Sequence, residues 1–246
     1  MKKITLVLLS VFTPALLFAQ AEVGGQFWTG TTWFLNNNVS DQGQGLDYRT
    51  SFGFSGGVNA AYYFSPVAGA GLEVNYGSFS QKYDGDPNAN IHFTAQDKFG
   101  YVTIPILFKL RTSGGFYLDI GPQVNLLMSG NGTFTVDPDS TGTLSYSDRE
   151  IKIGMSNVVF GGTFGFGGRF ALNENMAITA GLHFAGSLAD VTEELTETEF
   201  AQDVADEVLG VGSYYAHTDQ SGDFFYQKTT AATGGIRIGF VYTFVE

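Results

Sequence analysis

The chain has 246 residues, no cysteine and a formal net charge of −12, and it combines 33 glycines with 15% aromatic and only 15% charged residues. A chain of this length suits a single barrel domain, and without cysteine no disulfide stabilises it. The acidic balance argues against nucleic acid as a partner, because nucleic-acid binding depends on Lys and Arg that neutralise phosphates.

The N-terminus has the layout of a secretory signal peptide. Lys2 and Lys3 precede an apolar stretch that runs to Phe18, and Ala19 then provides a small residue for cleavage. We therefore predict a signal peptide over 1–19 and one domain over 20–246. Beyond the signal no stretch has the 18 or so consecutive apolar residues of a spanning helix, so a membrane-spanning chain of this composition must span as strands.

Seven segments alternate apolar with small or polar residues at a period of two, which is typical of strands. In the first of them, Phe52, Phe54 and Val58 share one face, whereas Gly53 and Ser55 lie on the other. The seven segments cover 51–64, 67–82, 99–110, 115–129, 158–170, 176–189 and 229–244. We predict an eighth strand at 23–35, because bacterial single-chain barrels have even strand numbers and an edge would otherwise stay unpaired.

Short and long connections alternate along these strands. Tight turns at 65–66, 111–114 and 171–175 separate longer segments at 36–48, 83–93, 131–157 and 190–227. Outer-membrane barrels show the same asymmetry, with short periplasmic turns, long outer loops and apolar faces toward the lipid. The prediction is an all-β fold, an eight-stranded antiparallel transmembrane β-barrel surrounded by outer-membrane lipid in a Gram-negative bacterium. The alternative, a soluble lipocalin-like barrel, would turn its apolar faces inward and leave glycine-lined faces in water.

Two neighbouring predicted strands carry a resemblance to a known family. Residues 101–109 read Tyr-Val-Thr-Ile-Pro-Ile-Leu-Phe-Lys, and residues 115–123 read Gly-Phe-Tyr-Leu-Asp-Ile-Gly-Pro-Gln. Together they resemble the PorT-type outer-membrane β-barrel family of Bacteroidetes, and the resemblance covers nearly the whole predicted domain. It implies a small porin-like barrel but specifies activity poorly, although the founding type is associated with protein secretion and gliding. One departure is Phe244, an aromatic residue that many such barrels place at the very end and that here precedes two further residues.

Five charged residues fall on the predicted inner faces of different strands: Glu73, Lys109, Asp119, Arg169 and Arg237. The lumen of an eight-stranded barrel is just wide enough for side chains to fill it, and an unpaired buried charge is costly. These residues therefore form either an ion path or a plug of ion pairs, and the width of the barrel favours the plug.

The last long segment is unusually acidic. Between residues 190 and 223 it holds ten of the chain's 24 acidic residues and no Lys or Arg. Its apolar residues follow a loosely helical spacing that Gly210 and Gly212 are predicted to end. One interpretation is an amphipathic helix that docks an envelope protein partner or folds over the barrel mouth, and the other is a solvated, partly disordered acidic loop. The candidate interaction residues are Glu193, Glu194, Leu195, Phe200, Val204 and Leu209.

Few residues suggest catalysis or a metal. His183 and Ser187 share a face but lie roughly 13 Å apart along a strand, and His92 and His217 belong to predicted loops, so we predict no catalytic residue and no cofactor. Asp84 and Asp86 resemble the start of a calcium loop without its closing Glu, and a plain turn explains them better; no metal is predicted.

The sequence thus indicates a non-enzymatic envelope structural or interaction protein, such as an adhesin or a subunit of an envelope or secretion assembly. A small pore built on Lys109, Arg169 and Arg237 is the alternative, and a lipid-modifying enzyme is a third.

Overall fold

Eight long strands form one closed antiparallel ring in the computed structural model, which describes residues 20–88, 91–138, 144–152 and 154–244. The predicted signal peptide lies outside the described residues. Two short strands, β2 (Asp47–Arg49) and β7 (Leu144–Glu150), pair with the outer parts of β4 and β6. The ring strands are β1 (Gln20–Leu35), β3 (Ser51–Tyr63), β4 (Ala68–Asn88), β5 (Ile91–Arg111), β6 (Phe116–Pro138), β8 (Val158–Ala171), β9 (Met176–Ser187) and β10 (Thr230–Phe244).

The ring closes between its first and last strands. β1 pairs with β10 from Ala21–Phe244 at one end to Leu35–Thr230 at the other, and it pairs with β3 along its opposite edge. Every ring strand therefore has two neighbours, which a bilayer requires because it offers no partner to an unpaired backbone group. The prediction of an eight-stranded antiparallel barrel is confirmed.

A band of apolar side chains faces outward around the ring. Phe52 is 64% exposed, Ile106 is 61% exposed and Phe160 is 59% exposed, although all three lie in regular strands. On β4 and β5 the band ends near Tyr76 and Gly100, and beyond them the outward residues are Lys82, Asp84, Gln96 and Lys98. Apolar residues that face outward suit lipid and not water, which excludes the lipocalin-like alternative.

Two predicted loops, 83–93 and 131–157, prove to be largely strand. β4 and β5 continue as a hairpin to Asn88 and Ile91, and β6 runs on to Pro138 before β7 returns beside it. Beyond the membrane the polarity of the two faces reverses. The outward residues become charged, whereas Tyr83 and Phe93 point inward and are buried. The loop prediction failed because it required the apolar residues of a strand to stay on one face. At the membrane boundary these residues pass from the outward face to the inward face.

A cap of outer segments closes the barrel between these raised strands. It contains three helices, α1 (Asn37–Asp41), α2 (Glu197–Ala205) and α3 (Val211–Ala216). Of the helices within the described ranges, none is long and apolar enough to cross a membrane. One apolar cluster joins the cap to the barrel wall through Phe34, Phe99, Tyr101, Leu127, Ile151, Met155, Val159 and Val191. A second cluster lies higher and contains Val39, Leu46, Tyr83, Phe93, Ala95 and Val211.

The acidic segment forms two helices and not one. Thr196 caps α2 with a capping box to Glu199, and the helix ends at Ala205. The prediction that Gly210 and Gly212 end a helix was wrong, because Gly210 is the N-cap of α3 and Gly212 lies within α3. Both glycines allow close approach: a Cβ on Gly212 would lie 2.5 Å from Tyr83 Oη, and one on Gly210 would lie 3.0 Å from the Asp97 carboxylate.

Candidate functional site

The middle of the barrel is crossed by a layer of four charged side chains, the central ion layer, made of Glu73, Lys109, Asp119 and Arg237. Lys109 Nζ lies 3.0 Å from Asp119 Oδ2 and 3.8 Å from Glu73 Oε1. Arg237 donates to Asp119 through Nη2 and lies 3.5 Å from Glu73 through Nη1. The four formal charges cancel, and all four side chains are buried or nearly so.

Strand register explains this convergence. Lys109 on β5 stands directly opposite Asp119 on β6, so the two stretches that carry the family resemblance place an ion pair in the lumen. Gln26 of β1 donates to Glu73 and to Asn75, and Asn59 donates to Gln26. The hydrogen bonds therefore extend the ion layer onto the neighbouring strands β1 and β3.

A second charged layer lies toward the short turns. Arg169 donates to Glu22 at 2.7 Å and to Thr243 at 2.9 Å. Arg111 lies 3.6 Å from the same Glu22 oxygen and 3.7 Å above the Tyr63 ring. Sequence reasoning grouped Arg169 with the other four charges, but the structure places it in this separate layer.

Sequence reasoning also missed Glu22 and Arg111, because it began the first strand at residue 23 and assigned residue 111 to a turn. The available signal was parity, since Glu22 lies on the same face of β1 as Gln26 and Trp28.

Above the central ion layer lies an internal cavity of about 90 Å³. Trp28, Phe79 and Tyr101 form an aromatic wall on one side, with ring centroids about 6 Å apart. The polar part of the lining comes from side chains such as Asn75, Gln123, Asn125 and His183. The cap closes the space above the cavity, where its Val191 joins Phe34 and Val159 of the wall in one apolar cluster.

A buried carboxylate joins the cap to the wall. Asp97 of β5 lies beyond the outward apolar band, and it accepts the backbone N–H of Gly212 at 2.7 Å and that of Val211 at 3.3 Å. Burial raises the pKa of Asp97 to about 6, and the two backbone N–H groups of the cap oppose that rise. The cap is thus attached at a titratable group.

The six candidate interaction residues of the acidic segment separate into two sets. Phe200 and Leu209 are buried, and Phe200 packs against Tyr214, His217 and Phe224. Leu195 is half-buried, with its N–H donated to His217. Glu193, Glu194 and Val204 are exposed. The apolar side of the segment therefore holds the cap together, and its acidic side faces outward.

The remaining candidates pair with ordinary partners. Asp84 pairs with Arg49, and Asp86 lies 2.8 Å from His92 Nδ1. Both carboxylates belong to β4 and not to a loop. Within the described ranges no group of three or more His, Asp or Glu is arranged to hold a metal ion.

A closed antiparallel ring of eight strands with an outward apolar band and a filled polar lumen defines a small outer-membrane β-barrel. The chain belongs to the family described as outer membrane protein beta-barrel domain, whose model matches residues 18–193. Fold and family place it in the outer membrane of a Gram-negative bacterium. No curated protein sequence matches the chain closely enough to count as a relative.

Several solved structures are similar in outline. Neisserial surface protein A is 12% identical, with a TM-score of 0.38 over 92% of this chain and 99% of that one. OprG from Pseudomonas aeruginosa is 13% identical, with a TM-score of 0.38 over 93% and 97%. Ail, the attachment invasion locus protein of Yersinia pestis, is 13% identical, with a TM-score of 0.34 over 91% and 99%.

Proposed function

We propose that the protein is a closed, non-enzymatic barrel that acts through its outer surface, as an envelope structural or interaction protein. The observation that carries the proposal is the occupation of the lumen at successive levels. Two charged layers, hydrogen-bonded amides and a packed cap lie one above another between the short turns and the outside. The barrel then serves as an anchor, and recognition belongs to the outer segments.

The same layering argues against the small pore. An ion that passes the central layer must separate Lys109 and Arg237 from their carboxylates, and breaking a buried pair costs about 3–5 kcal/mol. It must also displace the cap, which packs against Phe34 and Val159.

The acidic outer side of the cap indicates the chemistry of a partner. Glu197, Asp203 and Asp206 belong to α2 or its C-cap, and no Lys or Arg occurs between residues 190 and 223. An acidic patch favours a basic partner surface and speeds its encounter. We infer an envelope protein that presents Lys and Arg to this segment.

The histidines give little support to an enzyme. Thr163 Oγ1 lies 2.8 Å from His183 Nε2, but among the described residues His183 Nδ1 has no hydrogen-bond partner that would orient the ring as a base. His217 accepts the N–H of Leu195 and donates to the Ser213 carbonyl, which uses both of its ring nitrogens in the cap. His183 thus lacks the orienting third group of a catalytic arrangement, and His217 has no free nitrogen to activate a nucleophile.

The narrower assignment to PorT-type barrels of Bacteroidetes is also part of the proposal. It rests on the sequence resemblance of the β5 and β6 stretches. The ion pair between Lys109 and Asp119 joins the two stretches, because Lys109 belongs to the first and Asp119 to the second.

A charge-neutralisation experiment tests the proposal. The tagged protein is purified from its native outer membrane in mild detergent, and the attached proteins are identified by mass spectrometry. Glu197→Gln, Asp203→Asn and Asp206→Asn together remove three charges from the exposed side of α2. The control, Asp41→Asn, Asp47→Asn and Asp86→Asn, removes three exposed charges elsewhere on the outer side.

We expect a basic partner that the wild type and the control retain and the α2 variant loses. A partner that all three proteins retain would contradict the role of α2. A clean barrel without a partner, combined with steady single-channel conductance in planar bilayers, would replace the proposal with the pore.

A further inference from the structure

We infer that the internal cavity is a binding site for a small, neutral, hydroxyl-bearing molecule such as a short-chain alcohol. The cavity lies between the central ion layer and the cap, and its volume is about 90 Å³. A cavity of about 150 Å³ takes up benzene, so this one suits a molecule of about three or four non-hydrogen atoms.

The lining has an apolar part and a polar part, which suits an amphiphile. Trp28, Phe34, Phe79, Val159 and Val191 present apolar surface to the cavity, whereas side chains such as Asn75 and Asn125 supply the polar part. Each ordered water needs about two to four polar partners, which the apolar part does not supply beyond the indole N–H of Trp28. An aliphatic chain gains contacts along it, because burial of each CH₂ group contributes about 0.8 kcal/mol.

Three polar atoms of residues that line the cavity have no hydrogen-bond partner among the described residues: Trp28 Nε1, Tyr101 Oη and His183 Nδ1. Trp28 and Tyr101 are each only 5% exposed, and a buried polar group without a partner costs about 1–3 kcal/mol. A molecule that supplies these partners is therefore stabilised in the cavity.

The chemistry of the three atoms favours a neutral hydroxyl. The indole N–H only donates, the Tyr101 hydroxyl donates and accepts, and His183 Nδ1 accepts or donates according to the tautomer of the ring. A hydroxyl both accepts and donates, so it matches all three atoms. Among the described residues that line the cavity none is Asp, Glu, Lys or Arg, so a carboxylate or an amine would be buried without a counter-charge.

The indole of Trp28 is a built-in reporter. The chain has two tryptophans, and Trp33 lies on the opposite face of β1, toward the lipid. The ¹H–¹⁵N spectrum of the protein in detergent micelles therefore shows one indole signal from the cavity and one from the outside. Trp33→Phe assigns the Trp28 signal.

The experiment titrates the protein with 1-propanol, using propionate as the charged probe with the same number of carbon atoms. We expect the Trp28 indole signal to shift and saturate with a Kd on the order of 1 mM, while the Trp33 signal moves little and propionate has no effect. Ala185→Leu fills the cavity and should weaken binding at least tenfold. Ala180→Leu, on the outward face of the same strand, is the matched control.

Ala231→Leu blocks the cavity from β10 and serves as the second variant if Ala185→Leu does not fold. Three results would each overturn the inference: a Trp28 signal that drifts linearly together with the Trp33 signal, equal binding of propionate, or full binding by the blocked variants. The first of these would identify the cavity as hydrated space reached only by solvent.

Discussion

Removal of Arg237 is the sharpest test of the central ion layer. Arg237→Met keeps the length of the side chain but leaves Glu73 and Asp119 with only Lys109, so a net charge of −1 remains in the lumen. Removing one member of a buried ion pair costs about 3–5 kcal/mol. We expect a loss of that size in the free energy of unfolding, measured by urea titration of the barrel in phospholipid vesicles with tryptophan fluorescence as the signal.

The double variant Arg237→Met/Glu73→Gln separates charge from packing. It restores neutrality, because Lys109 still pairs with Asp119 at 3.0 Å, and we expect it to recover most of the lost stability. Arg149→Met is the surface control: its partner Glu207 is 68% exposed, and an exposed pair contributes at most about 1 kcal/mol. A single variant within about 1 kcal/mol of the wild type, or a double variant as unstable as the single one, would refute the argument.

Three further predictions concern the cap and the lipid face. Because burial raises the pKa of Asp97 to about 6, the Asp97 carboxylate binds a proton more tightly when the cap is closed than when it is open. The stability of the closed cap is then greatest below the ordinary pKa of 3.8 and falls as the pH rises through 6. Hydrogen exchange at the N–H of Gly212, corrected for the intrinsic rate, should show less frequent opening at pH 5 than at pH 7, and Asp97→Asn should remove the difference. Gly212→Val forces a side chain against Tyr83 Oη, so limited proteolysis should cut the cap of this variant and not that of wild type; equal resistance would contradict the close packing. Ile106→Arg places a charge in the middle of the lipid-facing band and should cost about 2–4 kcal/mol in vesicle unfolding, whereas Thr94→Arg beyond the band should cost almost nothing, and equal costs would mean that the band is misplaced.

The sequence was sufficient to predict the barrel because two independent regularities coincide. The alternation of Phe52, Phe54 and Val58 with small residues defines a face for lipid, and the short turns fix the order of antiparallel neighbours. Closure then required an eighth strand, which β1 supplies although its aromatic residues follow no clean parity.

The site was less predictable, since it depends on register and on contacts between distant segments. Parity placed Glu73, Lys109, Asp119 and Arg237 in the lumen, but only the register of β5 against β6 shows that Lys109 faces Asp119. The link between Asp97 and the backbone of α3 joins positions 115 residues apart. No local sequence pattern indicates such a contact, because the donors are backbone N–H groups, which every residue except proline carries.

The pairing of β1 with β10 has a consequence for how the chain folds. Leu35 pairs with Thr230, 195 residues later in the chain, and closing a flexible loop of that length costs about 5 kcal/mol of chain entropy. Until β10 arrives, the two outermost strands present open edges that invite aggregation. The ring is therefore expected to close last, after the seven other strands have associated in order. Membrane insertion of this chain therefore competes with aggregation. The unfolded polypeptide is then expected to need a chaperone while it crosses the periplasm.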